Sequence, residues 1–154
     1  MNFILDNYNK LMQLDDGKAK FSKLVCQITP YFASIDPRVE DLRPGYGRWS
    51  MIKRKEVENH IGTVHAIAMC NLCEVTAGLT TEVSIPGHLR WIPSGMQVQY
   101  LKKAHTDLVA ECTLGDVDWD NIDNLDVTVS VCDREGKEVV RAVITMKIGA
   151  KPES

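Results

Sequence analysis

The sequence predicts an α+β fold: one long, almost wholly apolar helix, preceded by two shorter helices and followed by an antiparallel sheet. Three observations carry this. Residues 60–81 hold a single formal charge, Glu74, and are rich in Ala, Met, Leu and Cys, a run too long for an ordinary strand. Beyond it, Val, Ile and Thr supply 20 of residues 81–149 against 15 of the first 80, and such side chains suit a pleated, half-buried surface. Apolar and polar residues then alternate in successive short runs, as strands with one covered face do.

Taken in order, Ile4, Tyr8, Leu11 and Met12 recur at helical spacing, Asp16-Gly17 interrupts, and Phe21, Leu24, Val25, Ile28, Phe32 and Ile35 resume the pattern with a kink expected at Pro30. Residues 36–47 contain two prolines and two glycines among charges and read as an irregular connection into a strand at 48–54. The apolar run at 63–79 is the long helix, with Gly78 near its end as a terminator. Strands follow where Met96, Val98 and Tyr100, then Leu108, Ala110, Cys112 and Leu114, then Leu125, Val127, Val129 and Val131 alternate with polar neighbours. Asp133-Arg134-Glu135-Gly136 turns the chain into a last strand at 138–148, closing a hairpin.

At 154 residues the chain has room for one core. Its 18 basic and 21 acidic residues give a net charge of −3, which disfavours nucleic acid as a partner. His65, Asn71 and several threonines argue against a membrane span at residues 60–81. Five cysteines and the lack of a signal-like start point to a cytoplasmic protein with reduced thiols. A helix apolar on nearly all sides needs cover on most of them; a sheet curling around it supplies part, and a second copy of the chain the remainder.

The polar groups of residues 59–74 need explaining. Glu74 is either a functional acid, the kind of buried carboxylate found at active sites, or a residue on one exposed stripe or paired with a distant cation. His65 is a general base, a hydrogen-bond donor at the helix start, or a structural residue bonded to backbone. Nine residues at 100° each turn through about 900°, leaving His65 and Glu74 on opposite faces and about 13 Å apart along the axis. They cannot meet within one chain, so a site using both joins two copies. Cys70 and Cys73 have redox or zinc spacing but fall inside the helix and read as small buried residues. Asp116, Asp118 and Asp120 lack the glycine and the bidentate glutamate of a calcium loop and read as a solvated turn. No metal site is expected.

From 48 to 148 the chain resembles the hotdog-fold thioesterase superfamily, in particular the phenylacetate-pathway type of acyl-CoA thioesterase and a less characterised relative of it. There an Asn shortly precedes Gly-x-x-His-Gly-Gly, and an acid follows the His by nine positions. Asn59, Gly62, His65 and Glu74 stand at matching places, Ala66-Ile67 replace the two glycines, and Tyr100-Leu101-Lys102-Lys103-Ala104 resembles the family's strand segment. The resemblance implies a long central helix wrapped by a curved antiparallel sheet at 46–150, with the helices of 1–45 an extension packed on the same single domain. It implies hydrolysis of acyl-CoA or acyl-carrier-protein thioesters in a homodimer or larger assembly. Glu74 would act as base or nucleophile, the Ala66 or Ile67 N–H would polarise the carbonyl, Asn59 would hold water or substrate, and His65 would orient the loop. Arg90, Lys102 and Lys103 would meet the phosphates of coenzyme A or form a solvated strand edge; coenzyme A enters as part of the substrate, and no cofactor is needed. Other hotdog proteins are dehydratases or bind acyl ligands without turnover, and both readings stay open on sequence.

Overall fold

The structure, a computed structural model, describes residues 2–153. Helix α1 (Phe3–Leu11) begins at Asn2, whose side-chain oxygen accepts from the Leu5 N–H, satisfying one of the donors a helix start leaves bare. Helix α2 (Gly17–Ile28) follows and stops before Pro30. The proline does more than kink it: residues Pro30–Ile35 form a separate 3₁₀ helix, because the ring leaves no N–H to continue the ladder.

Residues 36–47, expected to be irregular, instead contain strand β1 (Arg38–Arg43) and the start of β2 (Tyr46–Met51), joined at Pro44-Gly45. Pro44 and Gly45 are the turn itself, Gly45 at φ +82°, so these residues mark a hairpin rather than a loop. The sheet thus begins ahead of the expected boundary at residue 45.

After a short 3₁₀ turn (Lys55–Val57) come α3 (Ala66–Ser84), β3 (Leu89–Tyr100), β4 (Leu108–Thr113), β5 (Asn124–Cys132) and β6 (Glu138–Ala150). The six strands form one antiparallel sheet in the order β1-β2-β4-β5-β6-β3. Helix α3 contacts all six. A flat sheet of six strands is about 24 Å across and a helix about 10 Å thick, so such contact requires the sheet to curl around it.

Gly78 does not end α3, which runs on to Ser84 and stops ahead of Pro86. A Cβ at Gly78 would lie 3.0 Å from the Trp91 ring; glycine is there to let β3 approach the helix. Before the sheet, α1 and α2 are tied to β1: the Leu42 N–H donates to the Tyr8 hydroxyl (3.2 Å) and the Val39 N–H to the Ser22 hydroxyl (2.9 Å). Phe21 packs against Tyr8 and Trp49, so the extension shares the core of the sheet. No described helix is long and apolar enough to cross a membrane.

Candidate active site

The loop into α3 is held by its own side chains. Asn59 accepts from the Ile61 and Thr63 N–H groups (3.1 Å each) through its side-chain oxygen and donates from its amide nitrogen to the Thr63 hydroxyl (2.7 Å). Both ends of the amide are therefore engaged within the turn. Gly62 takes φ +76° there, a conformation that favours glycine. His65 is the N-cap of α3: its Nδ1 accepts from the Ile67 N–H at 3.0 Å, so the neutral ring carries its proton on Nε2. The Ile67 N–H is thereby occupied. The Ala66 N–H has no partner among the described residues and points out of a helix N-terminus, where partial positive charge gathers.

Glu74 lies two turns further on. It belongs to a narrow, partly exposed stripe with Ile67 and Cys70, while the rest of α3 around it is buried. Its carboxylate makes no hydrogen bond or ion pair with any described residue. It lines a cavity of about 530 Å³ whose other walls are Ile4 of α1, Val25 and Ile28 of α2, Phe32 of the 3₁₀ helix, Leu79 of α3 and Trp91 of β3. A second carboxylate there, Glu82, accepts from the Trp91 indole N–H at 2.7 Å, which leaves Glu74 the unpaired one. His65 faces a different cleft, with Tyr31, Glu56, Glu58 and Asn71. One chain keeps the helix start and the acid apart, as the helical spacing requires.

Cys73 is wholly buried, and burial pushes its thiol up to about 12. Cys70, expected to be buried as well, sits on the stripe with its sulfur 3.4 Å from the Tyr100 hydroxyl; that contact, more than burial, raises the Tyr100 phenol above its ordinary value. The basic residues do not cluster. Arg90 opens β3 in a polar cleft with Lys151, whereas Lys102 and Lys103 are exposed beyond its far end, about 40 Å away at about 3.3 Å per residue. Lys103 adjoins Ala104, whose carbonyl accepts from the Val64 N–H, so these two lysines lie beside the loop into α3. The cavity walls from α1 and α2 carry no site signal in the sequence: Ile4, Val25, Ile28 and Phe32 belong to the apolar helical pattern, and nothing local marks them as lining one space with Glu74.

A long helix wrapped by six antiparallel strands in this order is the hotdog fold. Residues 17–148 match the family described as a domain of unknown function, DUF4442, and the chain belongs to it. A structural-genomics protein, APC5556, is similar over 97% of this chain and 99% of its own, with 46% identity and a TM-score of 0.86. A Pseudomonas aeruginosa protein of unknown function, PA5026, described as a probable thioesterase, is 22% identical over 83% of this chain and 92% of its own, TM-score 0.73. The Haemophilus influenzae thioesterase HI1161 is 10% identical over 80% and 85%, TM-score 0.71. At such identities the last two show the fold alone. No curated protein matches this chain.

Proposed function

We propose that this protein hydrolyses acyl thioesters of coenzyme A or an acyl carrier protein, at a site completed between two copies of the chain. The observation that carries the reading is Glu74: a carboxylate without a partner on the wall of an apolar cavity. Other structures of this fold are described as thioesterases, which supports the same chemistry here.

The second copy is inferred from what one chain leaves uncovered. Strand β3 is a sheet edge twelve residues long on which Ile92 is 64% and Tyr100 53% exposed. An edge of this length offers a row of unpaired backbone N–H and C=O groups to a second strand. The stripe of Ile67, Cys70 and Glu74 lies beside it, since Cys70 touches Tyr100. A second copy on this face would supply the helix start that Glu74 lacks, since its own Ala66 N–H lies about 12 Å away along the helix.

Glu74 takes a proton from water as the water oxygen bonds to the thioester carbonyl carbon, and the Ala66 N–H of the other copy stabilises the oxyanion. Collapse breaks the C–S bond, and the proton passes from Glu74 to the departing sulfur, giving a carboxylic acid and a free thiol. His65 and Asn59 position the donor: one caps the helix, the other holds the turn before it. Lys102 and Lys103, exposed next to Ala104 and so near that loop, and Arg90, at the other end of β3, are the basic residues this reading assigns to the coenzyme A phosphates. The substrate brings its own coenzyme A and no further cofactor takes part.

A second reading, acyl binding without turnover, is favoured by one observation: Ala66-Ile67 stand where two glycines are usual, and the Ile67 N–H is taken by His65. Free-thiol release from a panel of acyl-coenzyme A esters separates the two, and Glu74→Gln then tests the acid. It keeps volume and removes charge, so the hydrolytic reading expects an unchanged or higher melting temperature and a kcat lower by roughly 10²-fold. A destabilised variant with full turnover per folded molecule would contradict it.

A further inference from the structure

We infer that α1, α2 and the 3₁₀ helix are the wall of an acyl-chain site, and that this N-terminal segment selects thioesters of long, straight alkyl chains. The inference rests on the hydrolytic reading and adds the substrate class to it. The cavity beside Glu74 is about 530 Å³. Packed interiors hold few voids larger than a water molecule, and an apolar cavity of about 150 Å³ is enough for benzene. A short acyl group would touch few of these apolar walls; a long alkyl chain can lie along them from α1 and α2 to Trp91.

The wall is built to stay in place. Asn2, besides capping α1, donates from its amide nitrogen to the Glu82 carbonyl at 2.7 Å, clipping the start of α1 to α3. The hydrogen bonds from Leu42 to Tyr8 and from Val39 to Ser22 fix both helices on β1. At the rim Phe3 and Ile28 remain uncovered. With Glu82 paired to Trp91, Glu74 is the carboxylate left free in the lining, so a thioester carbonyl held at Glu74 has its alkyl chain running between the α2 side chains Val25 and Ile28 and the indole of Trp91.

The test uses alkyl-coenzyme A thioethers, which have no carbonyl and cannot be hydrolysed, with ethyl, octyl and dodecyl chains, bound to the full-length protein. Each buried methylene is worth about 0.8 kcal/mol, or about fourfold in affinity, so dodecyl should bind at least a hundredfold tighter than ethyl. Val25→Phe fills the cavity from α2, and Ile28→Phe does so from a half-exposed position that spares folding if the first does not. Either should reduce the dodecyl-to-ethyl affinity ratio by at least tenfold. Equal binding of all three chains, or the same ratio in wild type and both folded variants, would overturn the assignment. Lauroyl-coenzyme A hydrolysis measured alongside separates the two readings: chain-length-dependent binding without turnover supports the acyl wall and sinks the hydrolase, whereas turnover without that dependence sinks the acyl wall alone.

Discussion

On the face of α3 turned toward the sheet, polar side chains are satisfied by the helix itself. The hydroxyls of Thr76, Thr80, Thr81 and Ser84 donate to the carbonyls of Leu72, Thr76, Ala77 and Thr80, at 2.5–2.8 Å. On the stripe beside the β3 edge, the Glu74 carboxylate has no partner among the described residues. The difference separates two uses of polarity in one helix. Threonines bonded to their own backbone are tolerated in a core because no group is left unmatched. A carboxylate on an apolar wall with no such match is the group to which the proposed chemistry is assigned.

The largest effect should come from breaking the open side of this comparison at the helix start. Ala66 is the first residue of α3, and His65 before it is extended at ψ 137°, the backbone that precedes proline comfortably. Ala66→Pro therefore deletes one N–H while leaving the helix able to form. Stopped-flow or thiol-release kinetics should show kcat down by roughly 10²–10³-fold, the scale for losing an oxyanion donor, with the melting temperature near that of wild type. A folded variant with normal kcat would remove Ala66 from the chemistry.

A smaller effect sharpens the closed side. Cys73 of α3 and Cys112 of β4 are buried, and burial pushes their thiols up to about 12 and about 11. In the unfolded chain they ionise near pH 8.5. A group whose folded pKa is raised stabilises fully below its unfolded value and loses that contribution as pH climbs toward the folded one. Denaturant titrations should thus show constant stability from these thiols up to about pH 8.5. Above it, each should lose on the order of 1.4 kcal/mol per pH unit. The Cys73→Ala, Cys112→Ala double variant should flatten that alkaline slope; an unchanged slope would mean the thiols are not shielded as the structure has them.

Much of the fold was legible because periodicity is a backbone property. The lone charge at Glu74 and the alternation in β4 and β5 identified the helix and the sheet directly. What failed did so at prolines and glycines, whose local meaning depends on distant neighbours. Pro44-Gly45 was read as part of a loop and is a hairpin turn; Gly78 was read as a helix end and is a contact for Trp91, thirteen residues away. The candidate acid stands out in sequence for the same reason as the helix. The proposed donor is only half legible: two N–H groups are candidates, and the rotamer of His65, invisible in sequence, occupies one of them. The cavity was not legible at all, since its walls join residues near 4, 28, 79 and 91 that no local pattern connects.

The central claim is that Glu74 of one copy works with the Ala66 N–H of another. Mixing Glu74→Gln and Ala66→Pro proteins, each nearly inactive alone, under conditions that exchange subunits tests it directly. Random pairing makes half the dimers mixed, and each mixed dimer rebuilds one intact site of two, so the mixture should recover about a quarter of wild-type turnover. If exchange is demonstrated by mass and turnover stays at the level of the separate variants, the site is contained within one chain and the account is wrong.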